Sequence, residues 1–263
     1  MIKNHIESVI KQKLNFYPTE TQKNAISLLS GFINFSDKYQ VFLLKGFAGT
    51  GKTTLIKAIV DTLSEFKLNS VLMAPTGRAA KVMTSYTGKP ASTIHRKIYR
   101  QKSTKDGFGK FELDFNPHVD SFFMVDEASM ISNNPAEASV FGSGRLLDDL
   151  YTYVFSGQNC KLMLIGDEAQ LPPIGLAISP ALDFEKLDSF GFDTMQANLT
   201  DVVRQALDSG ILKNSFIVRQ MIDENRIDYP QLETKELTDI IRLRGEELIE
   251  SITDSYENVG MDE

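Results

Sequence analysis

Four short apolar runs rich in branched and aromatic residues dominate the hydrophobic pattern of the chain. They are YQVFLLKG (39–46), NSVLMAP (69–75), SFFMVDE (121–127) and CKLMLIGDE (160–168). Because these runs are apolar on both faces rather than alternating, they are typical of buried parallel strands. Segments between them, such as GKTTLIKAIVDTLSEF, carry apolar residues at helical spacing. The pattern therefore predicts an α/β fold, with a mostly parallel sheet flanked by helices.

Each apolar run ends in polar or turn-forming residues. The four endings read GFAGTGKTT, APTGRAA, DEASM and GDEAQLPPIG. In an open parallel sheet the carboxyl ends of the strands meet at one edge, and ligands bind there. We therefore expect the four endings to converge on a single crevice.

Two regions depart from the alternation of strands and helices. Residues 97–118 contain a polar, glycine-bearing centre followed by apolar residues two apart, which predicts an inserted hairpin. Residues 199–263 are acid-rich and helical in pattern, and they predict the start of a second domain. The predicted organisation is thus a first domain over 1–198, which includes the hairpin, and an incomplete second domain over 199–263.

Composition narrows the possible classes of function. The 263 residues carry a formal net charge of -7, which argues against polyanion binding over the whole surface but allows a local basic groove. One cysteine, Cys160, and three scattered histidines give no zinc-type spacing, so any metal is expected to be bound through oxygen. No apolar stretch reaches the roughly 20 residues that span a bilayer. These features favour a chain that binds no membrane and is located in the cytoplasm.

The segment GFAGTGKT, from Gly46 to Thr53, has the pattern of a phosphate-binding loop. Glycines allow backbone N–H groups to surround phosphate oxygens at the start of a helix. Lys52 is then expected to face the β and γ phosphates, and Thr53 to offer its hydroxyl to Mg²⁺. The alternative is an ordinary glycine-rich turn between a strand and a helix. The residues expected to bind the nucleotide here are Gly46, Ala48, Gly49, Thr50, Gly51, Lys52, Thr53 and Thr54.

Acidic and amide side chains at two further strand ends complete a candidate hydrolase. Asp126 is expected to hold hydrated Mg²⁺, and Glu127 to orient and deprotonate the attacking water. The alternative for this pair is a solvated strand end. Gln170, followed by two prolines that force an extended path, is expected to lie beside the γ-phosphate. The sequence therefore predicts a phosphate-loop nucleotide hydrolase.

The order and spacing of these blocks resemble one helicase family. GFAGTGKTT, APTGRAAKVM, STIHR, VDEASM, GDEAQLPPIG and LTDVVRQ occur as in superfamily 1 DNA helicases of the RecD/Dda type, over roughly residues 15 to 210. The resemblance implies a RecA-like P-loop NTPase lobe that uses ATP and Mg²⁺. It also implies 5′ to 3′ movement on single-stranded DNA and action at duplex junctions. The oligomeric state stays open.

The resemblance assigns two further residues to ATP. Gln22, in YPTETQKNAI, is similar to a residue that reads the adenine edge, with a solvated helix residue as the alternative. Arg204, in LTDVVRQ, is similar to one that reaches the γ-phosphate from the neighbouring domain. The alternative for Arg204 is a salt bridge within a helix to Asp201 or Asp208.

Two blocks resemble the DNA-contacting segments of the family. In APTGRAA the turn after a strand is expected to present backbone and hydroxyl groups to a DNA phosphate, and STIHR resembles a second such contact. The alternatives are surface charges on a helix for the first block and a structural histidine in the second. The residues carried over as DNA contacts are Pro75, Thr76, Arg78, Thr93 and His95.

The role of the hairpin and the function of the whole chain each have more than one interpretation. Tyr99, Phe108 and Phe111 either stack on a DNA base, as a pin that separates strands, or pack the hairpin onto the core. The last family blocks, including an arginine finger, do not appear, so we expect a fragment that binds nucleotide but hydrolyses it slowly. The competing functions are an ATP-switched DNA-binding module and a small-molecule phosphotransferase.

Overall fold

The computed structural model describes residues 2–34, 39–102, 109–134, 140–201, 209–235 and 237–259. The chain divides into two compact units, Met1–Val202 and Val203–Glu263, which are described separately. The division lies close to the predicted boundary between residues 198 and 199.

Six strands form the main sheet of the first unit, and all of its strand pairs are parallel. The four predicted strands are all present. Two edge strands were not predicted: one has only three residues, and the other alternates polar with apolar residues. The strands are β1 Gln40–Gly46, β2 Asn69–Ala74, β3 Ala91–Thr93, β4 Tyr99–Gln101, β5 Phe111–Leu113, β6 Ser121–Val125, β7 Lys161–Gly166 and β8 Asp193–Leu199. The main sheet has the order β3, β2, β6, β7, β1, β8, and β4 pairs with β5 alone.

Helices cover both faces of the sheet, which confirms the predicted α/β fold. Alternate residues of β1 enter different apolar clusters: Phe42 and Leu44 join one, while Val41 and Leu43 join the other. This period of two is what a strand buried on both faces produces. The helices are α1 Ile2–Lys13, α2 Glu20–Asn34, α3 Lys52–Glu65, α4 Gly77–Thr87, α5 Ile94–Ile98, α6 Leu146–Ser156, α7 Phe184–Ser189, α8 Gly210–Asp223 and α9 Leu248–Val259.

The inserted hairpin is the antiparallel pair β4–β5. Its base packs against the core: the buried Tyr99 hydroxyl donates to Asp149 Oδ2 of α6 at 2.6 Å. The ring of Phe111 stacks on Phe141 with centroids 4.6 Å apart. For Tyr99 and Phe111 the structure therefore favours packing over base stacking, and Phe108 lies outside the described residues.

The second unit contains α8 and α9. Asp239 holds the start of α8, since its carboxylate accepts hydrogen bonds from the Ser209 hydroxyl and from the backbone N–H groups of Gly210 and Ile211. That this unit begins a second motor domain stays a prediction. Arg204 lies outside the described residues.

Two expectations from composition have structural counterparts. Cys160 is buried, as predicted, and burial raises the pKa of its thiol. Within the described ranges, no helix combines the length and the apolar character needed to cross a membrane.

The Tyr99 hydroxyl provides a test of how the hairpin is held. Tyr99→Phe keeps the ring against Phe141 and removes only the donor to the buried Asp149 carboxylate. We expect the free energy of unfolding to fall by about 1.5–3 kcal/mol, the usual range for a hydrogen bond to a charged group. Urea denaturation at unchanged slope measures the loss. The exposed Tyr229→Phe is the matched control, and an equal effect of both variants would contradict the assignment.

Candidate functional site

Five adjacent strands of the sheet deliver their carboxyl ends to one edge. Along this edge the order is β3, β2, β6, β7, β1; a turn or a polar residue follows four of the strands, and α5 begins directly after β3. The register is close, since Lys45 of β1 pairs with Gly166 of β7, and Ala74 of β2 pairs with Thr93 of β3. The predicted convergence of the four endings on one edge is therefore observed.

Glycines determine the shape of the loop after β1. Gly49 and Gly51 have φ angles of 80° and 83°, a left-handed conformation that strains residues with a Cβ. A Cβ on Gly46 would lie 2.9 Å from Leu199 Cβ and 3.1 Å from its carbonyl oxygen. All three positions thus require glycine, two for conformation and one for close approach to β8.

The loop surrounds the side chain that opens α3. Lys52 Nζ donates to the carbonyl oxygens of Gly46 at 2.6 Å and Phe47 at 3.0 Å, so its ammonium lies within the loop. The Thr50 hydroxyl also donates to Phe47 O, at 2.8 Å. Thr53 and Thr54 are exposed in the first turn of α3. A cation and the amino end of a helix together form an environment that attracts anions.

Asp126 follows β6 and is held by donors on both of its carboxylate oxygens. Its Oδ2 accepts from the Tyr86 hydroxyl at 2.8 Å, and its Oδ1 accepts from the Glu127 N–H at 2.9 Å. Burial and the neighbouring Asp126 raise the pKa of Tyr86, so its hydroxyl keeps its proton. Sequence reasoning missed Tyr86; the available signal was a polar-tipped ring on the apolar face of α4, at i+3 from Met83.

Glu127 is a partly buried carboxylate beside Asp126. Its backbone is left-handed, with φ 56°, which turns the chain sharply at the end of β6. Burial and the adjacent Asp126 raise the pKa of Glu127, while Lys52 and a hydrogen bond with Gln170 partly offset that rise. The Lys52 contribution places the loop ammonium within electrostatic range of this carboxylate.

Gln170 connects the end of β7 to the end of β6. Its Oε1 accepts from the Ser129 hydroxyl at 2.9 Å, and its amide lowers the pKa of Glu127. The neighbouring acids have other contacts: Asp167 Oδ1 accepts from the Ala169 N–H at 2.9 Å, and Glu168 pairs with Lys45 of β1. The end of β7 thus acts on Glu127 through two side chains: Gln170 lowers the pKa of this carboxyl group, and the negative charge of Asp167 raises it.

Gln22 is buried, with 1% of its surface exposed, so the alternative of a solvated helix residue is wrong. Its Nε2 donates to Thr50 O at 2.9 Å, and its Oε1 accepts from the Thr19 N–H at 3.0 Å. These bonds hold the start of α2 against the phosphate-loop segment. Contact of Gln22 with adenine stays a prediction.

Asp201 fastens the end of β8 to the start of α2. Its Oδ2 accepts from the Thr21 N–H at 3.0 Å and from the Thr21 hydroxyl at 2.9 Å. These hydrogen bonds lower the pKa of Asp201. Sequence reasoning had considered Asp201 only as a partner for Arg204 and did not foresee this contact.

The candidate DNA contacts meet where β2 and β3 end. Thr76 and Thr93 are the N-caps of α4 and α5, since their hydroxyls accept from the N–H groups of Ala79 and Arg96, each at 3.2 Å. Pro75 precedes the first cap, and Arg78 is exposed in the first turn of α4. Two helix amino ends therefore lie side by side at this edge.

His95 belongs to the aromatic group at the base of the hairpin. Its ring lies 5.0 Å from that of Phe141, edge to face, and 5.8 Å from that of Tyr99. Burial lowers the pKa of His95, so its imidazole is neutral at pH 7. The packing corresponds to the structural alternative, and a DNA contact by His95 stays a prediction.

The oxygen ligands at this edge suit Mg²⁺. The Thr53 hydroxyl and the Asp126 carboxylate are hard donors, and Mg²⁺ commonly takes one or two protein carboxylates together with waters and substrate phosphates. In the described part of the chain, no group of three or more His, Cys, Asp or Glu residues forms a dedicated metal cage. The residues present therefore fit a nucleotide-borne magnesium ion.

Comparison with known proteins places this site in a family. A family model described as AAA domain matches residues 33–176, more than half of the chain. The ATP-dependent RecD2 DNA helicase of Deinococcus radiodurans is 30% identical over 195 residues, which cover 74% of this chain and 23% of that protein. The ATP-dependent DNA helicase dda of Enterobacteria phage T4 is 31% identical over 159 residues, covering 59% and 33% respectively. The chain thus spans about a quarter to a third of these relatives.

A solved structure of Pif1 helicase from Candida albicans aligns over 82% of this chain and 46% of that one, at 17% identity. Its TM-score of 0.49 is too low to support a statement about function. The residues matched by the family model include the phosphate loop, the Asp126–Glu127 pair and Gln170. The chain belongs to the AAA domain family, and its sequence is similar to that of superfamily 1 helicases of the RecD/Dda type.

Proposed function

We propose that this chain binds ATP with Mg²⁺ and couples its hydrolysis to 5′ to 3′ movement on single-stranded DNA, as the ATPase lobe of a DNA helicase. One observation carries the proposal. The phosphate loop, the Asp126–Glu127 pair and Gln170 lie at the ends of neighbouring strands, and the caps Thr76 and Thr93 follow along the same edge. A single unit thus holds the candidate ATP and DNA sites.

The phosphate loop and the ends of β6 and β7 have different roles in binding and hydrolysing ATP. Loop N–H groups and Lys52 bind the β and γ phosphates, with Ala48, Thr50 and Thr54 contributing to the cradle. Thr53 and Asp126 hold the magnesium ion, which when bound neutralises charge on the phosphates. Gln22 contacts adenine, and the family resemblance assigns Arg204 to the γ-phosphate.

Glu127 orients the attacking water and accepts its proton. A buried carboxylate with a raised pKa is a stronger base than an exposed one and remains ionised at pH 7 while its pKa stays below that value. Gln170 lowers the pKa of this carboxylate and precedes the 171–176 loop, in which Leu171 and Ile174 face solvent. A change at the γ-phosphate therefore has a direct route through Gln170 to the surface of the lobe.

DNA binds at the amino ends of α4 and α5. These helices carry four basic residues and no acidic one, in a chain of net charge -7. A local basic group beside two helix amino ends favours a phosphate backbone. DNA as the substrate is also supported by the names of the two helicase relatives. The direction of movement and the action at duplex junctions come from the family resemblance. The basic residues are Arg78, Lys81, Arg96 and Lys97.

The experiment that tests the function measures ATP hydrolysis with and without single-stranded DNA, on this chain and on a form extended at the C-terminus. Stimulation by DNA in the extended form supports a motor. DNA binding without stimulated turnover in both forms would instead support an ATP-switched DNA-binding module. Indifference to DNA would contradict both and favour a small-molecule phosphotransferase.

Lys52→Ala tests the phosphate loop. Removing the ammonium deletes a preorganised positive charge at the γ-phosphate, and we expect turnover to fall on the order of a hundredfold or more. Steady-state hydrolysis at saturating Mg²⁺ is the measurement. The matched control is Lys57→Ala, one turn along α3, where the lysine is exposed and pairs with Asp61 at 3.7 Å. A normal rate for Lys52→Ala would contradict the assignment.

The pH profile of kcat/KM tests Glu127 as the base. The active form is the deprotonated carboxylate, so activity is lost when the carboxylate gains a proton on acidification. Because the pKa of Glu127 is raised, this loss occurs at a higher pH than it would for an ordinary glutamate. We expect the acid limb to lie above 4.5, the ordinary value for a glutamate. Glu127→Gln should lower the turnover rate by about 10²–10⁴-fold, and the variant should still bind nucleotide. Glu185→Gln, on the surface of α7, should leave both rate and profile unchanged.

Arg78→Ala tests the DNA contact. If Arg78 neutralises one phosphate, its loss weakens binding to oligo(dT) and reduces the slope of log K against log salt by about 0.7. Fluorescence anisotropy over a salt series gives both quantities. Lys186→Ala on the exposed side of α7 is the matched control for a general loss of positive charge. An equal change in the two variants would show that Arg78 has no specific contact.

A further inference from the structure

Helix α4 has a different neighbour at each end. Its first turn, capped by Thr76, carries the exposed Arg78 at the end of β2. Its last turn carries Tyr86, about 12 Å further along at 1.5 Å per residue. The helix ends at Gly88, whose left-handed conformation closes the last turn with a hydrogen bond to Thr84 O. One continuous helix thus reaches from the proposed DNA contact to the ATP site.

Tyr86 is packed on the side of α4 that faces the core. It lies three residues after the fully buried Met83, and its ring packs against the apolar cluster beneath α4. The hydroxyl at the tip of the ring donates to Asp126 Oδ2 at 2.8 Å. The residues in contact are 40 positions apart, so the bond depends on the packing of α4 beside β6.

The bond restricts the rotation of the Asp126 carboxylate. The other carboxylate oxygen accepts from the N–H of the next residue, Glu127, a local contact that follows from the turn itself. Tyr86 is therefore the donor from a separate element that fixes the plane of the group. Each carboxylate oxygen has two acceptor sites, so one site per oxygen remains for hydrated Mg²⁺. The tyrosine orients the ligand without adding a positive charge.

We propose that Tyr86 is a positioning residue of the ATPase site, which holds Asp126 in the orientation that receives Mg²⁺ and ties this orientation to α4. The inference rests on the proposed function, because it takes Asp126 as the magnesium ligand and the start of α4 as the DNA contact. Partners that orient a metal ligand in this way commonly contribute 10–100-fold to metal affinity or activity.

The test uses Tyr86→Phe, which keeps the ring and deletes the hydroxyl. Binding of N-methylanthraniloyl-ADP is measured in EDTA and over a magnesium titration. We expect the affinity in EDTA to be unchanged and the magnesium concentration for half-saturation to rise by roughly tenfold or more. Tyr151→Phe is the matched control, because Tyr151 is buried and its hydroxyl has no hydrogen-bond partner among the residues that the structure describes.

A double-mutant cycle separates positioning from a general structural effect. In an Asp126→Asn background, Tyr86→Phe should cause little further change in magnesium half-saturation, since the carboxylate that it orients is gone. Fully additive effects would overturn the proposal, and so would an unchanged half-saturation in the single variant. Equal melting temperatures of Tyr86→Phe and the parent chain confirm that the fold is intact.

Oligo(dT) tests whether α4 links the proposed DNA contact to the orientation of Asp126. DNA should shift the magnesium half-saturation of the parent chain and have a smaller effect on Tyr86→Phe. An equal shift in both would overturn the link between α4 and the metal ligand. If the parent chain shows no magnesium-dependent nucleotide binding, the proposed function fails as well; if it does and Tyr86→Phe matches it, only the role of Tyr86 fails.

Discussion

The parallel pairing of β1, β7 and β6 is the constraint on which the site depends. These strands are buried on both faces, so their own side chains supply the apolar core and cannot carry polar chemistry. Polar residues are accommodated where the strands end. Because the strands run parallel and in register, those ends meet at one edge. The same three strands therefore form the core with their side chains and position the candidate active site at their carboxyl ends.

The phosphate loop depends on a strand outside this group. Gly46 lies against the backbone of Leu199 so closely that a Cβ has no room, and β8 pairs with β1 along its whole length. The end of β8 is in turn fastened by Asp201 to the start of α2. Gln22, next along that helix, hydrogen-bonds Thr50 in the loop. The conformation of the loop thus depends on its own glycines and on contacts with α2 and the end of β8.

The sequence predicted what is encoded locally. The four buried strands were found from their apolar runs, and the phosphate loop from its glycines and lysine. β8 was missed because Gln196 and Asn198 interrupt its apolar residues at the sheet edge, and β3 because three residues form no pattern. The contacts of Tyr86, Gln22 and Asp201 join residues 40, 28 and 180 positions from their partners. Such contacts follow from packing, which a single sequence does not specify.

The Asp126–Glu127 pair has two uncharged neighbours, Tyr86 and Gln170, while the charge of Lys52 also acts on Glu127. Tyr86 approaches Asp126 from the β2 side of the sheet, and Gln170 approaches Glu127 from the β7 side. A cation in either place would stabilise the ionised carboxylates and weaken them as metal ligand and base. The nearby Lys45 is instead paired with Glu168, so its charge is compensated away from the pair. The neutral Tyr86 hydroxyl restricts the orientation of the Asp126 carboxylate and leaves its negative charge available for the proposed magnesium ion.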